Sequence, residues 1–263
     1  MGNKGTHIKN SLLIKGAEPF AFGQGTHAIL FIHGWTSSPR ELRFLAESLS
    51  TLYYCRGILL NGHGLTAEAL EDTNWQGHLN QVLEVLENLH SQFKKVSIIG
   101  LSYGAVLALH AAARRPVSNL ILLSPFIKSA EYVIKRIPKS SFVRFIPPFI
   151  KNIPKKSDGP INKKSELKKH IMYDKMPVKP LKSVINCIQN VYGIIPSLSS
   201  PTLLLHSKED KTASFEGSEY ILKHIDSKDK TLIPLTESNH IITLDYDKER
   251  VTREISTWLK QRS

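Results

Sequence analysis

Cysteine is almost missing. The 263 residues hold two, Cys55 and Cys187, far apart and in no metal-ligand or redox spacing. A disulfide-stapled secreted domain and a thiolate metal site are both excluded, and a reduced, cytoplasmic setting is expected. Long apolar runs are missing too: no stretch reaches the roughly 20 residues that a membrane-spanning helix needs. The opening MGNKGTHIKNSLLIKGAEPF has one short apolar segment interrupted by Lys15, so it lacks the apolar core and small-residue cleavage site of a secretory leader. Acidic residues are scarce in one place. Residues 126–198 hold 4 Asp and Glu against 15 Lys and Arg, a net +11 out of the chain's +12, whereas the remainder holds 19 against 20. The same segment carries more than half of the 14 prolines. So sharp a shift marks an inserted unit with its own task.

Hydrophobic residues make up 41% and charged residues 22% of the chain, a globular balance with ample material for a buried core. HAILFIHG, YYCRGILLNGHG, KVSIIG, SNLILLSP, PTLLLHS and KTLIPL carry short apolar runs and read as strands buried on both faces. Helical patterns lie between them. Pro39 suits a first helical turn with Ser38 as its cap, and Leu42, Leu45, Ala46 and Leu49 then repeat on one face. Leu79, Val82, Leu83, Leu86 and Leu89 do the same further on. SYGAVLALHAAARR, SFEGSEYILKHI and KERVTREISTWLKQ complete the alternation. It predicts an α/β chain with a mainly parallel sheet flanked by helices. Residues 1–125 and 199–263 are expected to form the core, and 126–198 a basic, proline-rich helical insertion over the sheet's C-terminal edge, where ligands bind in such sheets.

One serine stands out. Gly100-Leu101-Ser102-Tyr103-Gly104 is a G-x-S-x-G pattern with a strand before it and an alanine-rich helix after it. A sharp strand-to-helix turn there projects the hydroxyl from the sheet edge above a helix N-terminus. The five residues alone are a weak signal, since a tight turn with an incidental serine would match as well. A nucleophilic serine needs a histidine base oriented by a carboxylate, in the chain order Ser, acid, His for this type of turn. Asp210 follows the strand PTLLLHS, with Glu209 as its rival. His240 follows KTLIPL, while His206 falls within a strand and His224 on a helix. The developing oxyanion needs backbone donors: the N–H of Tyr103 and, from the loop after the first strand, that of Trp35. Trp35 also suits core packing. His33 and His63 read as structural turn residues, because neither follows the serine.

Together FIHGWTSSPRELRFLAESL, NGHG, GLSYGA, LLLHSKED and SNHIITLD resemble the bacterial carboxylesterase and monoacylglycerol lipase group of the α/β-hydrolase superfamily. The resemblance covers most of the chain outside the insertion. It implies an α/β-hydrolase fold, a triad of Ser102, Asp210 and His240, an oxyanion hole lined by Trp35 and Tyr103, and a cap near 126–198 over an acyl pocket. Asn239 departs from the glycine that often precedes the histidine, which puts the conformation of that loop in question.

The activity so implied is hydrolysis of short to medium acyl esters or monoacylglycerols through an acyl-enzyme, with no metal or organic cofactor. A thioesterase, lysophospholipase, amidase or carbon–carbon hydrolase would use the same triad, and a non-catalytic lipid-surface protein on this scaffold would be a different class of answer. A dehalogenase or epoxide hydrolase would present a carboxylate in place of the serine. The stretch SSFVRFIPPFIKNIPKK mixes Phe and Ile with Lys and Arg. Such a run is usually a solvated face, and its sharper reading is attraction to an anionic membrane surface. Nucleic acid is not expected as a partner, because no recognised binding fold accompanies the charge.

Overall fold

The computed structural model describes residues 13–129, 150–154 and 159–262. Most of the Phe- and Lys-bearing stretch 140–156 lies outside the described residues. The six apolar runs and one short added edge strand form a seven-stranded sheet. Its strands are β1 (Phe20–Phe22), β2 (His27–Ile32), β3 (Tyr54–Ile58), β4 (Lys95–Leu101), β5 (Leu120–Leu123), β8 (Thr202–Ser207) and β9 (Lys230–Leu235), in the order β1-β3-β2-β4-β5-β8-β9. Every pairing is parallel except that of β1 with β3. The β1 edge strand has three residues, too few for a period to show in sequence.

Both faces of the central strands are covered, which is why β2, β4, β5 and β8 are almost wholly buried; β9, at the edge of the sheet, is less buried than its apolar run suggests. Along β2, Ala28, Leu30 and Ile32 enter one core and Ile29 and Phe31 the other, as the two-residue period of a strand requires. The first core is closed by helices α2 (Trp75–Gln92) and α3 (Tyr103–Ala112) through Leu79, Val82, Leu86, Val106 and Leu109. The second is closed by α1 (Arg40–Leu49) and the Lys248–Lys260 helix through Leu42, Leu45, Val251, Ile255 and Trp258. Asn74 caps α2 by accepting the Gly77 N–H at 2.8 Å. The expected Ser38 cap on α1 is not formed. Pro39 occupies the cap position, the Ser38 Oγ is buried without a hydrogen-bond partner, and backbone carbonyls of Ser38 and Pro39 close the turn.

The described part of 126–198 is less helical than expected. It holds a two-stranded antiparallel ribbon of β6 (Asn152–Pro154) and β7 (Lys175–Pro177), a helical turn at Lys164–Leu167 and the Val178–Val191 helix. That helix buries Val184, Cys187 and Val191 in the first core beside α2 and α3, and His110 Nε2–H donates to the Cys187 carbonyl at 3.0 Å. Burial pushes the Cys187 thiol up to about 12, so it behaves as a core apolar group. The loops after β2, β4, β8 and β9 all leave the same edge of the sheet, because these strands are parallel. That edge therefore gathers residues widely separated in the chain.

Candidate active site

Ser102 lies between the last residue of β4 and the first of α3, with φ 57° and ψ −117°. A residue with a side chain rarely takes this conformation, which costs on the order of 1–3 kcal/mol and persists only where its surroundings impose it. Here the Ser102 N–H donates to Leu123 O at 2.9 Å, and the Phe126 N–H donates to Ser102 O at 3.3 Å. Glycine at 100 and 104 lets strand and helix meet: a Cβ on Gly104 would lie 2.1 Å from Ile32 O, and one on Gly100 2.4 Å from Gly104 O.

The three residues expected to act together are brought together. Ser102 Oγ lies 2.8 Å from His240 Nε2, and His240 Nδ1 lies 2.7 Å from Asp210 Oδ2. A carboxylate only accepts, so His240 carries its proton on Nδ1 and presents Nε2 to the Ser102 hydroxyl as an acceptor. Ser102 is 9% exposed, and Asp210 and His240 are buried. Glu209, the rival acid, points to solvent. Asp210 Oδ1 accepts the backbone N–H groups of Thr212 and Ala213 at 2.7 and 2.9 Å. Burial would raise the Asp210 pKa, but the attraction and hydrogen bonds of His240 and His206 outweigh it and hold the carboxyl well below its usual range.

The sequence places His206 only within a strand. It sits at the end of β8, fully buried, and its Nε2 shares Asp210 Oδ2 at 3.0 Å, while its Nδ1 meets Ser218 Oγ at 2.7 Å. Asp210 is thus held by two imidazoles and two backbone N–H groups. Asn239 also has a clear place. It needs no left-handed backbone, since its φ is not positive. Its Oδ1 accepts the Lys211 N–H at 3.0 Å and its Nδ2–H donates to Gly159 O at 3.2 Å, joining the Asp210 loop, the His240 loop and the inserted segment. Asp245 reinforces that junction by accepting from the Asn239, Asn162 and Lys163 N–H groups.

Across the site, His33 Nδ1–H donates to Gly34 O at 2.7 Å and Nε2 accepts the Leu60 N–H at 3.1 Å. The Gly34–Trp35 peptide is trans, so fixing its carbonyl also fixes the direction of the Trp35 N–H. Gly34 itself is close to the serine, since a Cβ there would lie 3.5 Å from Ser102 Cβ. Tyr103 is the first residue of α3, so its N–H has no partner within the helix. Trp35 packs, half-buried, against the first core.

Behind the loop His33, His63 and His78 stack edge-on with centroids 5.0 and 5.3 Å apart, all buried. Desolvation holds His33 at about 4 despite the attraction of Glu41, and holds His63 well below 6.5. A base kept neutral by burial binds protons more readily once unfolded. Its contribution is complete above pH 6.5 and is lost as the pH falls through 6.5 towards about 4. His33 alone is worth on the order of 3 kcal/mol across that window. Urea midpoints at pH 7.5 and 4.5 should therefore differ less in His33→Asn than in the natural chain, even if the variant is weaker at both. An equal acid loss in the two proteins would show that His33 is not the group that titrates.

The sheet, the strained serine and the three residues joined across its C-terminal edge define an α/β-hydrolase. The chain belongs to the family described as serine aminopeptidase, S33, whose profile matches residues 24–247. It is 27% identical over 248 residues to a carboxylesterase of Bacillus subtilis (strain 168), covering 93% of this chain and 96% of that protein. It is 25% identical over 241 residues to a thermostable monoacylglycerol lipase of Bacillus sp. (strain H-257), covering 91% and 92%. Among solved structures it is similar to one from a study of the metagenome-derived lipolytic enzymes LipS and LipT, with TM-score 0.85, 26% identity and coverage of 94% and 99%. A soluble variant of monoglyceride lipase from Saccharomyces cerevisiae shares the fold at TM-score 0.83 and 18% identity over 93% of this chain and 91% of that one.

Proposed function

We propose that this carboxylic ester hydrolase works through Ser102, His240 and Asp210, and that its substrates are short to medium acyl esters or monoacylglycerols. The observation that carries the reading is the continuous relay from Ser102 Oγ through His240 to Asp210, 2.8 and 2.7 Å long, at a serine held in a strained turn. His240 takes the Ser102 proton as Oγ attacks the ester carbonyl, and Asp210 fixes the tautomer and stabilises the imidazolium. The N–H groups of Tyr103 and Trp35 receive the negative oxygen, the first aided by the N-terminus of α3. His240 then protonates the departing alcohol, and water releases the acid from the acyl-enzyme by the same steps in reverse.

The segment 126–198 is proposed as the cap, with its Val178–Val191 helix rooted in the first core. It is fastened to the His240 loop through Asp245 and Asn239, and its lysines are the part of the chain suited to an anionic lipid surface.

The relatives are ester hydrolases by name, whereas the family description names a peptidase. One substrate series separates the two. Acyl esters of increasing length, monoacylglycerols and an aminoacyl anilide are assayed together, alongside a fluorophosphonate probe with the labelled peptide read by mass spectrometry. The expected result is ester turnover, a much slower anilide reaction and a single adduct at Ser102. Preferential anilide cleavage would overturn the substrate class, and an adduct elsewhere would overturn the nucleophile.

A further inference from the structure

We propose that Glu41 and His170 form a latch through which the inserted segment positions the oxyanion loop. Glu41 stands in the first turn of α1, where a helix surface ordinarily meets water, yet its side chain is 2% exposed. One carboxylate oxygen accepts the Gly34 N–H at 3.0 Å, and the other accepts from His170 Nε2 at 2.9 Å. His170 belongs to the inserted segment, 129 residues along the chain, and its side chain is 3% exposed. The same Nε2 lies 3.3 Å from Ser37 Oγ, whose hydroxyl donates to Ile171 O at 3.3 Å. His170 Nδ1 is buried with no hydrogen-bond partner, so Glu41 and Ser37 are the polar groups that hold this ring.

The latch acts on a loop that already has one fixed end. His33 holds the Gly34 carbonyl, and Glu41 holds the Gly34 N–H. Both peptide planes around Gly34 are therefore set, including the one that carries the Trp35 N–H. A Cβ on Gly34 would meet Glu41 Oε2 at 3.2 Å and Ser102 Cβ at 3.5 Å, so the carboxylate and the nucleophile border the same side of Gly34. The backbone carbonyl of Glu41 accepts the Thr243 hydroxyl, three residues beyond His240. One residue thus touches the oxyanion loop, the His240 loop and the insertion.

His170 is needed for two reasons. A buried carboxylate left with half its acceptor sites empty is costly and would seek other donors. A bare negative charge behind the loop would also oppose the charge that develops on the substrate oxygen, and the imidazole N–H offsets it. Docking of the insertion at His170 then becomes a condition for a well-formed oxyanion hole. Glu41 and His170 are positioning residues, since they act on substrate through the Gly34–Trp35 peptide.

The inference rests on the ester-hydrolase reading for its kinetic arm and on amide exchange for its structural arm. The full chain is compared with Glu41→Ala, Glu41→Gln, His170→Ala and Glu41→Ala/His170→Ala, each normalised to sites titrated by the fluorophosphonate. His170→Ala should lower kcat by about 10–100-fold with KM within about threefold, somewhat less than deleting an oxyanion donor outright. Glu41→Ala should match it, and the double variant should be no worse than the worse single one, because the two act as a unit. Glu41→Gln keeps an acceptor for the Gly34 N–H and should recover most of the rate. His170→Ala should also speed hydrogen–deuterium exchange of residues 34–38 by about tenfold while leaving β4 unchanged. If Glu41→Ala does not fold, His170→Ala still decides, since it leaves α1 untouched. Losses that multiply in the double variant, or a His170→Ala protein with normal kcat and normal exchange in this loop, overturn the latch. A natural chain that cleaves no ester removes the functional reading, and the exchange measurement still accepts or rejects the latch.

Discussion

Alanine at position 102 should lower kcat/KM for esters by about 10⁴–10⁶-fold while leaving the fold unchanged. The size follows from what the hydroxyl does. It is the atom that His240 Nε2 faces at 2.8 Å, and in the proposed mechanism it is the atom that forms the acyl-enzyme, so without it only the electrostatic contribution of the proposed N–H donors to direct attack by water remains. The structural cost is small because Ser102 does not hold its turn through its side chain. No side-chain hydrogen bond caps α3, and the strained backbone is held by Leu123 O and the Phe126 N–H. Thermal midpoints should agree within about 2 °C, and fluorophosphonate labelling should disappear. A variant that keeps more than about a tenth of the rate would end the assignment of Ser102 as nucleophile, and with it the roles of His240 and Asp210.

The meeting of Ser102, Asp210 and His240 was legible in the sequence because each follows an apolar run closely, and a parallel sheet sends all such turns to one edge. The alternation of strand and helix was legible for the same reason: burial on both faces leaves continuous Val, Ile and Leu. The rest has no local period. His206 lies inside an apolar strand, where it reads as an odd polar insertion, and only its spacing of four residues from Asp210 hints at their contact. Glu41 reads as the polar side of an amphipathic helix, and nothing near it in the chain names its partner, which is 129 residues away. Asn239 looked like a departure from glycine, yet its amide bridges two loops. Ser38 had the right identity for a cap, but Pro39 took the cap position. The insertion was visible by its charge and prolines, whereas its antiparallel ribbon, with three residues per strand, was too short to register.

Gly104→Ala should be the most damaging conservative substitution in this region, and it tests whether the G-x-S-x-G turn is a packing requirement as well as a chemical one. The added Cβ would lie 2.1 Å from Ile32 O and 2.6 Å from His33 O. Both are backbone atoms, and Ile32 is pinned in the middle of the sheet by β3 and β4, so no side chain can rotate away. Helix α3 must move outward by an ångström or more. That breaks the fit of its Val106 and Leu109 to the first core and draws Ser102 from His240. Alanine is otherwise the better helix former by about 1 kcal/mol, so a gain would be expected if close approach did not matter. With it, a loss of about 3–5 kcal/mol is expected, in the range of severe overpacking. Chemical denaturation gives the sign directly. Activity should fall further than the folded fraction does, because a displacement near 1 Å is enough to cost about 100-fold in a positioned reaction. A Gly104→Ala protein that is as stable and as active as the natural chain would mean that α3 does not lie against β2 as closely as these distances require.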